Sequence, residues 1–124
     1  MDSEHNDKLE EQGMEVYQQI VDHCEDEGDM LPGLITKLKA VDTSGQFLAS
    51  TARYLAAVDR QKFEPYLAPL IEAAIERDRE RRYIGSLLQA IWGEDFETHA
   101  EELKASDDNF RRIYKRLHPE QYAM

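Results

Sequence analysis

The densest run of side chains able to do chemistry is Asp22-His23-Cys24-Glu25-Asp26-Glu27, where imidazole, thiolate and carboxylates, all competent metal ligands, stand together. Their spacing works against a closed site. On a helix His23 and Glu27 share a face, while Cys24 is turned away by about 100° onto the apolar stripe, so one ion does not gather all three. The run reads as a core cysteine beside a solvated acidic helix end. Asp95 and His99, four apart and followed by Glu102, have the types for a carboxylate orienting a general base. They lack further partners, and a surface capping interaction is expected. The chain has no Glu-x-x-His pair of di-iron bundles, no His-Glu-x-x-His of zinc proteases and no Gly-x-Ser-x-Gly elbow. Phosphate-cradling Gly-x-Gly-x-x-Gly and Gly-Lys-Ser/Thr loops are missing too. The expectation is a protein that is not an enzyme and uses no metal or cofactor.

Charge is the stronger signal. The net charge of -11 is striped along the chain. Residues 1–29 hold eleven acids against Lys8, and residues 30–93 hold nine bases against seven acids. Residues 94–110 hold seven acids against Lys104, and residues 111–124 four bases against Glu120. An acidic whole opposes non-specific binding to nucleic acid or anionic lipid, although a local basic patch still suits a phosphate. In the last helix, Arg111, Arg112, Lys115 and Arg116 fall on one arc while Phe110, Ile113, Tyr114 and Leu117 fall on the other. Arg77, Arg79, Arg81 and Arg82 form a second cationic cluster, and Tyr83 or Tyr114 could stack beside a base if either ring is exposed. Three fates are open to these cations: solvated helix faces, pairing with acidic segments of the same chain, or contact with phosphate or an acidic partner.

The elements that must position these groups are helices. Leu9, Val16, Tyr17, Ile20, Val21 and Cys24 recur at three-and-four spacing, which predicts a first helix over residues 7–27. Gly13 lies on that stripe, where its absent side chain permits close approach of a neighbour at a cost of about 1 kcal/mol in helix propensity. Asp29 is expected to cap a second helix through Leu31, Leu34, Ile35, Leu38 and Val41, with a turn at residues 42–45 after it. A third helix carrying Phe47, Leu48, Tyr54, Leu55 and Val58 stops near Asp59. Pro65 and Pro69 make the fourth start late or bend, because proline removes a backbone donor and crowds the preceding turn. Tyr83, Ile84, Leu87, Leu88, Ile91 and Trp92 form the clearest apolar face, capped by Gly93. A short acidic helix from Asp95 or Thr98 and a last one capped by Ser106 and stopped at His118-Pro119 complete the chain.

No segment alternates with period two, so the fold class is all-α: one domain over residues 1–124, with residues 1–6 frayed or disordered. The expected architecture is a compact irregular bundle of five to seven helices; the alternative is a short α-α superhelical stack. The second rests on Arg53-Tyr54-Leu55-Ala56 and Arg82-Tyr83-Ile84-Gly85, which recur 29 residues apart. Ile113 to Leu117 with His118-Pro119-Glu120 after it faintly resembles the tyrosine-bearing helix and His-Pro-Asp loop of J-domain co-chaperones. Glu120 replaces that family's aspartate, and the run reads as a helix stop. No apolar run reaches the roughly 18 residues a bilayer demands, and the acidic start is unlike a secretory signal, so a cytoplasmic location is expected.

The expected function is that of a small acidic regulatory or inhibitory binding module. Its first helix would dock on another protein's basic surface through Glu11, Glu15, Asp22, Glu25, Asp26 and Glu27. The alternative is contact with nucleic acid or a phosphorylated ligand through Arg111, Arg112, Lys115 and Arg116. Homo-oligomerisation is left open.

Overall fold

The computed structural model describes residues 2–119, with side chains from residue 8. The expectation of fraying at residues 1–6 concerns Met1 and side chains that lie outside the described residues. Among the described residues there are six α-helices and no strand: α1 (Asp2–His23), α2 (Leu31–Val41), α3 (Gln46–Arg77), α4 (Gly85–Trp92), α5 (Ala100–Ser106) and α6 (Asp108–Leu117). Short 3-10 turns at Gly28–Met30 and Phe96–His99 lead into α2 and α5.

Each helix buries the face its spacing predicts. Val16, Ile20 and Cys24 of the first segment meet Leu31, Leu34, Ile35 and Leu38 of α2, and Phe47, Leu48, Ala52 and Leu55 of α3 close that side of the core. Phe63, Leu67, Leu70, Ile71 and Ile75 continue along α3 to Leu87, Leu88 and Ile91 of α4 and Phe110 and Ile113 of α6. The long α3 is the shared wall: α1 and α2 pack on each other and on it, and α4 and α6 do the same further along. Each fully buried large side chain contributes about 1.5–3 kcal/mol, so this continuous row supplies the folding drive. The result is an irregular all-α bundle, as expected.

Boundaries depart from the sequence pattern at several places. The first helix ends at His23, earlier than expected, because the chain must turn at Gly28 to bring Leu31 back onto Ile20. Asp29 does not cap α2; it sits inside the 3-10 turn, and Met30 precedes the helix with Pro32 in its first turn, where a missing N–H costs nothing. One expected boundary is met: at Asp59 the backbone leaves helical geometry (φ -164°, ψ 90°), dividing α3 into two helical stretches, and the Asp59 carboxylate accepts from Lys62 N at 3.1 Å at the start of the second. Pro65 and Pro69 neither delay nor stop the helix that continues to Arg77. Both are exposed, so the carbonyls of Gln61 and Pro65 that lose their donors face water. The last helix is capped by Asp107, not Ser106, whose hydroxyl donates back to Glu102 O at 2.8 Å. Arg53-Tyr54 lies inside α3 and Arg82-Tyr83 in the loop before α4, so the two copies of that short pattern occupy unlike places.

Two glycines are required by contacts. A Cβ at Gly13 would stand 2.6 Å from Cδ2 and 2.8 Å from Cε2 of Phe47, which is the close approach its place on the stripe predicted. Gly45 has φ 86°, and a Cβ there would meet the Ala74 carbonyl at 2.9 Å.

Candidate functional site

The acidic helix comes first. In α1 the buried side is Gly13, Val16 and Ile20, and at 100° per residue Glu11, Glu15 and Asp22 fall on the opposite arc, with Glu25 and Asp26 following in the turn. All five are exposed, Glu25 and Asp26 just past the end of the helix. Gln18 continues the same stripe and donates to Asp22 Oδ1 at 3.0 Å. Met14 flanks it, 52% exposed, an unusual place for a large apolar side chain. Glu27 is exposed as well, and its carboxylate lies 3.0 Å from His23 Nδ1. Cys24 is fully buried, as expected of a core cysteine, and burial pushes its thiol above the usual 9.0. Among the described residues no group of three His, Cys, Asp or Glu could hold a metal ion. Asp95 and His99 meet only at 3.4 Å on the surface.

The basic groups meet a fourth fate, beyond solvation, acidic pairing and phosphate. Arg116 Nη1 donates to Ile75 O at 2.6 Å and to Asp78 O at 3.3 Å, closing the C-terminus of α3. Arg77 Nη2 reaches Lys39 O near the end of α2 at 2.8 Å, and Arg81 Nη1 reaches Arg116 O near the end of α6 at 2.9 Å. Lys62 Nζ does the same for Glu25 O beyond α1, at 3.3 Å. Three cations therefore sit on helix C-termini, where unpaired carbonyls and the negative end of the dipole both favour them, and the fourth holds the turn after α1. Arg111 pairs with Asp108 one turn earlier. Sequence spacing showed the cations of α6 sharing an arc, but which carbonyls they would reach depends on α3 lying alongside.

Three aspartates that belong to no motif organise the loops. Asp42, Asp78 and Asp107 each end one helix, their own N–H bonded back to Leu38 O, Ala74 O and Leu103 O, and each turns its carboxylate onto backbone donors of the next few residues. Asp42 accepts from Ser44 N, Gly45 N and Leu48 N, the last at 2.8 Å. Asp78 accepts from Arg82 N at 2.9 Å, Tyr83 N at 2.7 Å and Ile84 N at 2.8 Å. Asp107 accepts from Phe110 N and, on its other oxygen, from Trp92 Nε1 at 3.0 Å. Both Asp42 and Asp78 are buried. The available signal was an aspartate four residues after an apolar helical position, at the edge of a turn.

Asp42 and Asp78 help to line a concave surface around the α2–α3 turn. One cleft of about 300 Å3 lies between that turn and the loop before α4, with Thr43, Ser44, Arg77, Arg79, Glu80 and Arg82 at its rim and Asp78 and Tyr83 at its wall. A second, about 290 Å3, shares Thr43, Ser44, Arg82 and Tyr83 and runs on to Leu9, Glu10 and Phe47. A third shares Glu10, Gln46 and Phe47 and ends at Glu11 and Met14.

Geometry thus defines an all-α protein with two chemically distinct surfaces, an acidic arc and an arginine-rimmed cleft. No protein-family model, curated protein or solved structure matches the chain. Among the described residues no helix is long and apolar enough to cross a membrane.

Proposed function

We propose that the chain is a small regulatory or inhibitory binding module of the cytoplasm, not an enzyme, which docks on a basic surface of another protein through the solvent-facing arc of α1 and its end. The carrying observation is that Glu11, Glu15 and Asp22 share the solvent-facing arc of α1 and that Glu25 and Asp26 are exposed just past its end, with Met14 exposed beside the arc. Their field steers a basic partner, and the methionine supplies an adaptable apolar contact once the charges have met. The rival reading, phosphate or nucleic acid on the α6 face, is weakened because Arg116 is occupied by the carbonyls of Ile75 and Asp78.

The test is a pull-down from host extract at low and high salt, run in parallel with a variant carrying Glu11→Gln, Glu15→Gln, Asp22→Asn, Glu25→Gln and Asp26→Asn. The reading requires a basic protein whose retention falls with salt and is lost in the variant. Retention of nucleic acid, abolished by replacing Arg111, Arg112 and Lys115 with alanine, would transfer the function to α6.

A further inference from the structure

The arginine-rimmed cleft lies off the acidic arc and is built from other elements. The turn and the loop on its two sides are each held by a buried aspartate, Asp42 and Asp78, whose oxygens are occupied by backbone N–H groups. What remains at the rim is a convergent set of donors. Arg79 is exposed and its guanidinium has no partner among the described residues; Thr43 is exposed and its hydroxyl has none there either. Arg77 is anchored by one amino group on Lys39 O, which holds the rest of its planar fork in place at the cleft edge. Arg82 is held only by Glu80, at 2.6 Å, both side chains being about two-thirds exposed, so an incoming anion can exchange for that carboxylate. Three guanidinium forks and a hydroxyl around one small cleft match the oxygens of a tetrahedral oxyanion, which arginine recognises through paired N–H donors. The volume is at the lower limit for small-molecule sites, suited to one phosphoryl group with a short stem.

We propose that this cleft binds a phosphomonoester, with Arg79 and Arg82 as the principal ligands, Arg77 and Thr43 as supporting donors, and Glu80 as the built-in competitor that the phosphate displaces. The Tyr83 ring at the wall gives the stem of the ester an apolar surface.

Inorganic phosphate titrated into the full chain at constant ionic strength, with amide and arginine Nε chemical shifts as the readout, is the direct test. Saturable shifts should be confined to residues 43–44 and 77–83. The double substitution Arg79→Ala with Arg82→Ala should weaken binding about tenfold or more while leaving the circular dichroism spectrum and Tm unchanged. Glu80→Gln should tighten it by about two- to fivefold, since an exposed ion pair is a weak competitor. Unsaturable shifts, shifts spread over Arg111 and Arg112 as well, or full binding by the double variant would each overturn the proposal. Repeating the titration with a phosphoserine peptide and with adenosine monophosphate separates the sources. Whichever ester binds more tightly than inorganic phosphate, with the same residues shifting, identifies whether the group arrives on a protein or on a small molecule.

Discussion

Asp78 shows how much one side chain decides. It is 2% exposed and its two oxygens take three successive backbone donors, which lets the chain leave α3 and enter α4 without orphaned N–H groups. Asp78→Ala strands those donors and should cost about 2–4 kcal/mol in urea unfolding, whereas Asp78→Asn keeps an acceptor and should cost less. Cys24 illustrates the opposite case, a reactive type made inert. Its thiol is buried and held above 9.0 chiefly by desolvation, with Glu25 adding to the effect, so the folded protein keeps the proton longer than the unfolded chain does. This contribution to stability is therefore complete below the unfolded thiol's pKa, near 9.0, and declines as pH rises beyond it. A disulfide-exchange reagent should accordingly label Cys24 slowly at about pH 8 in the native state and rapidly in urea. The alkaline loss of stability should shrink in Cys24→Ala. Fast native labelling would contradict the packing of α1 on α2.

At the scale of elements, the recurring device is a cation from one helix placed on the open carbonyls of another. Arg116 carries it for α3, and Arg116→Ala should cost about 1–2 kcal/mol by thermal melting because two acceptors lose a charged donor at once. Arg111→Ala, which removes only an exposed pair with Asp108, should stay within about 0.5 kcal/mol. Equal effects would mean that Arg116 is not a cap. The contact of α1 with α3 depends on Gly13. Alanine there gains about 1 kcal/mol of helix propensity, but its methyl group would overlap a Phe47 ring that is itself buried against Tyr17. Overpacking of that kind costs about 1–3 kcal/mol, so Gly13→Ala should lower Tm despite the better helix former. Arg81, at φ 60°, holds the left-handed conformation that non-glycine residues adopt at a cost of roughly 1–2 kcal/mol, and its bond to Arg116 O ties that strained loop to α6.

For the molecule as a whole, the net charge of -11 sets repulsion against packing. The ion pairs are mostly exposed and contribute little, so screening should relieve repulsion more than it weakens attraction. The Tm should rise by about 2–5 °C between roughly 50 and 500 mM sodium chloride, and a fall would show that the carbonyl caps dominate instead. By itself the sequence determined the all-α class, the buried face of each helix, the close approach at Gly13, the stop at Gly93 and the outward set of the α1 acids. Apart from the stop at Gly93, which rests on glycine's freedom to take a positive φ, these come from a period of 3.6 residues, which is a local property of the chain. Only the tertiary structure decided the rest. Asp107 took the cap expected of Ser106, the prolines ran through α3 because their side of it faces water, and Arg77, Arg81 and Arg116 turned to carbonyls some 35 to 41 positions away. Periodicity tells which side of a helix is wet, but which neighbour lies across that side is set by how the helices assemble.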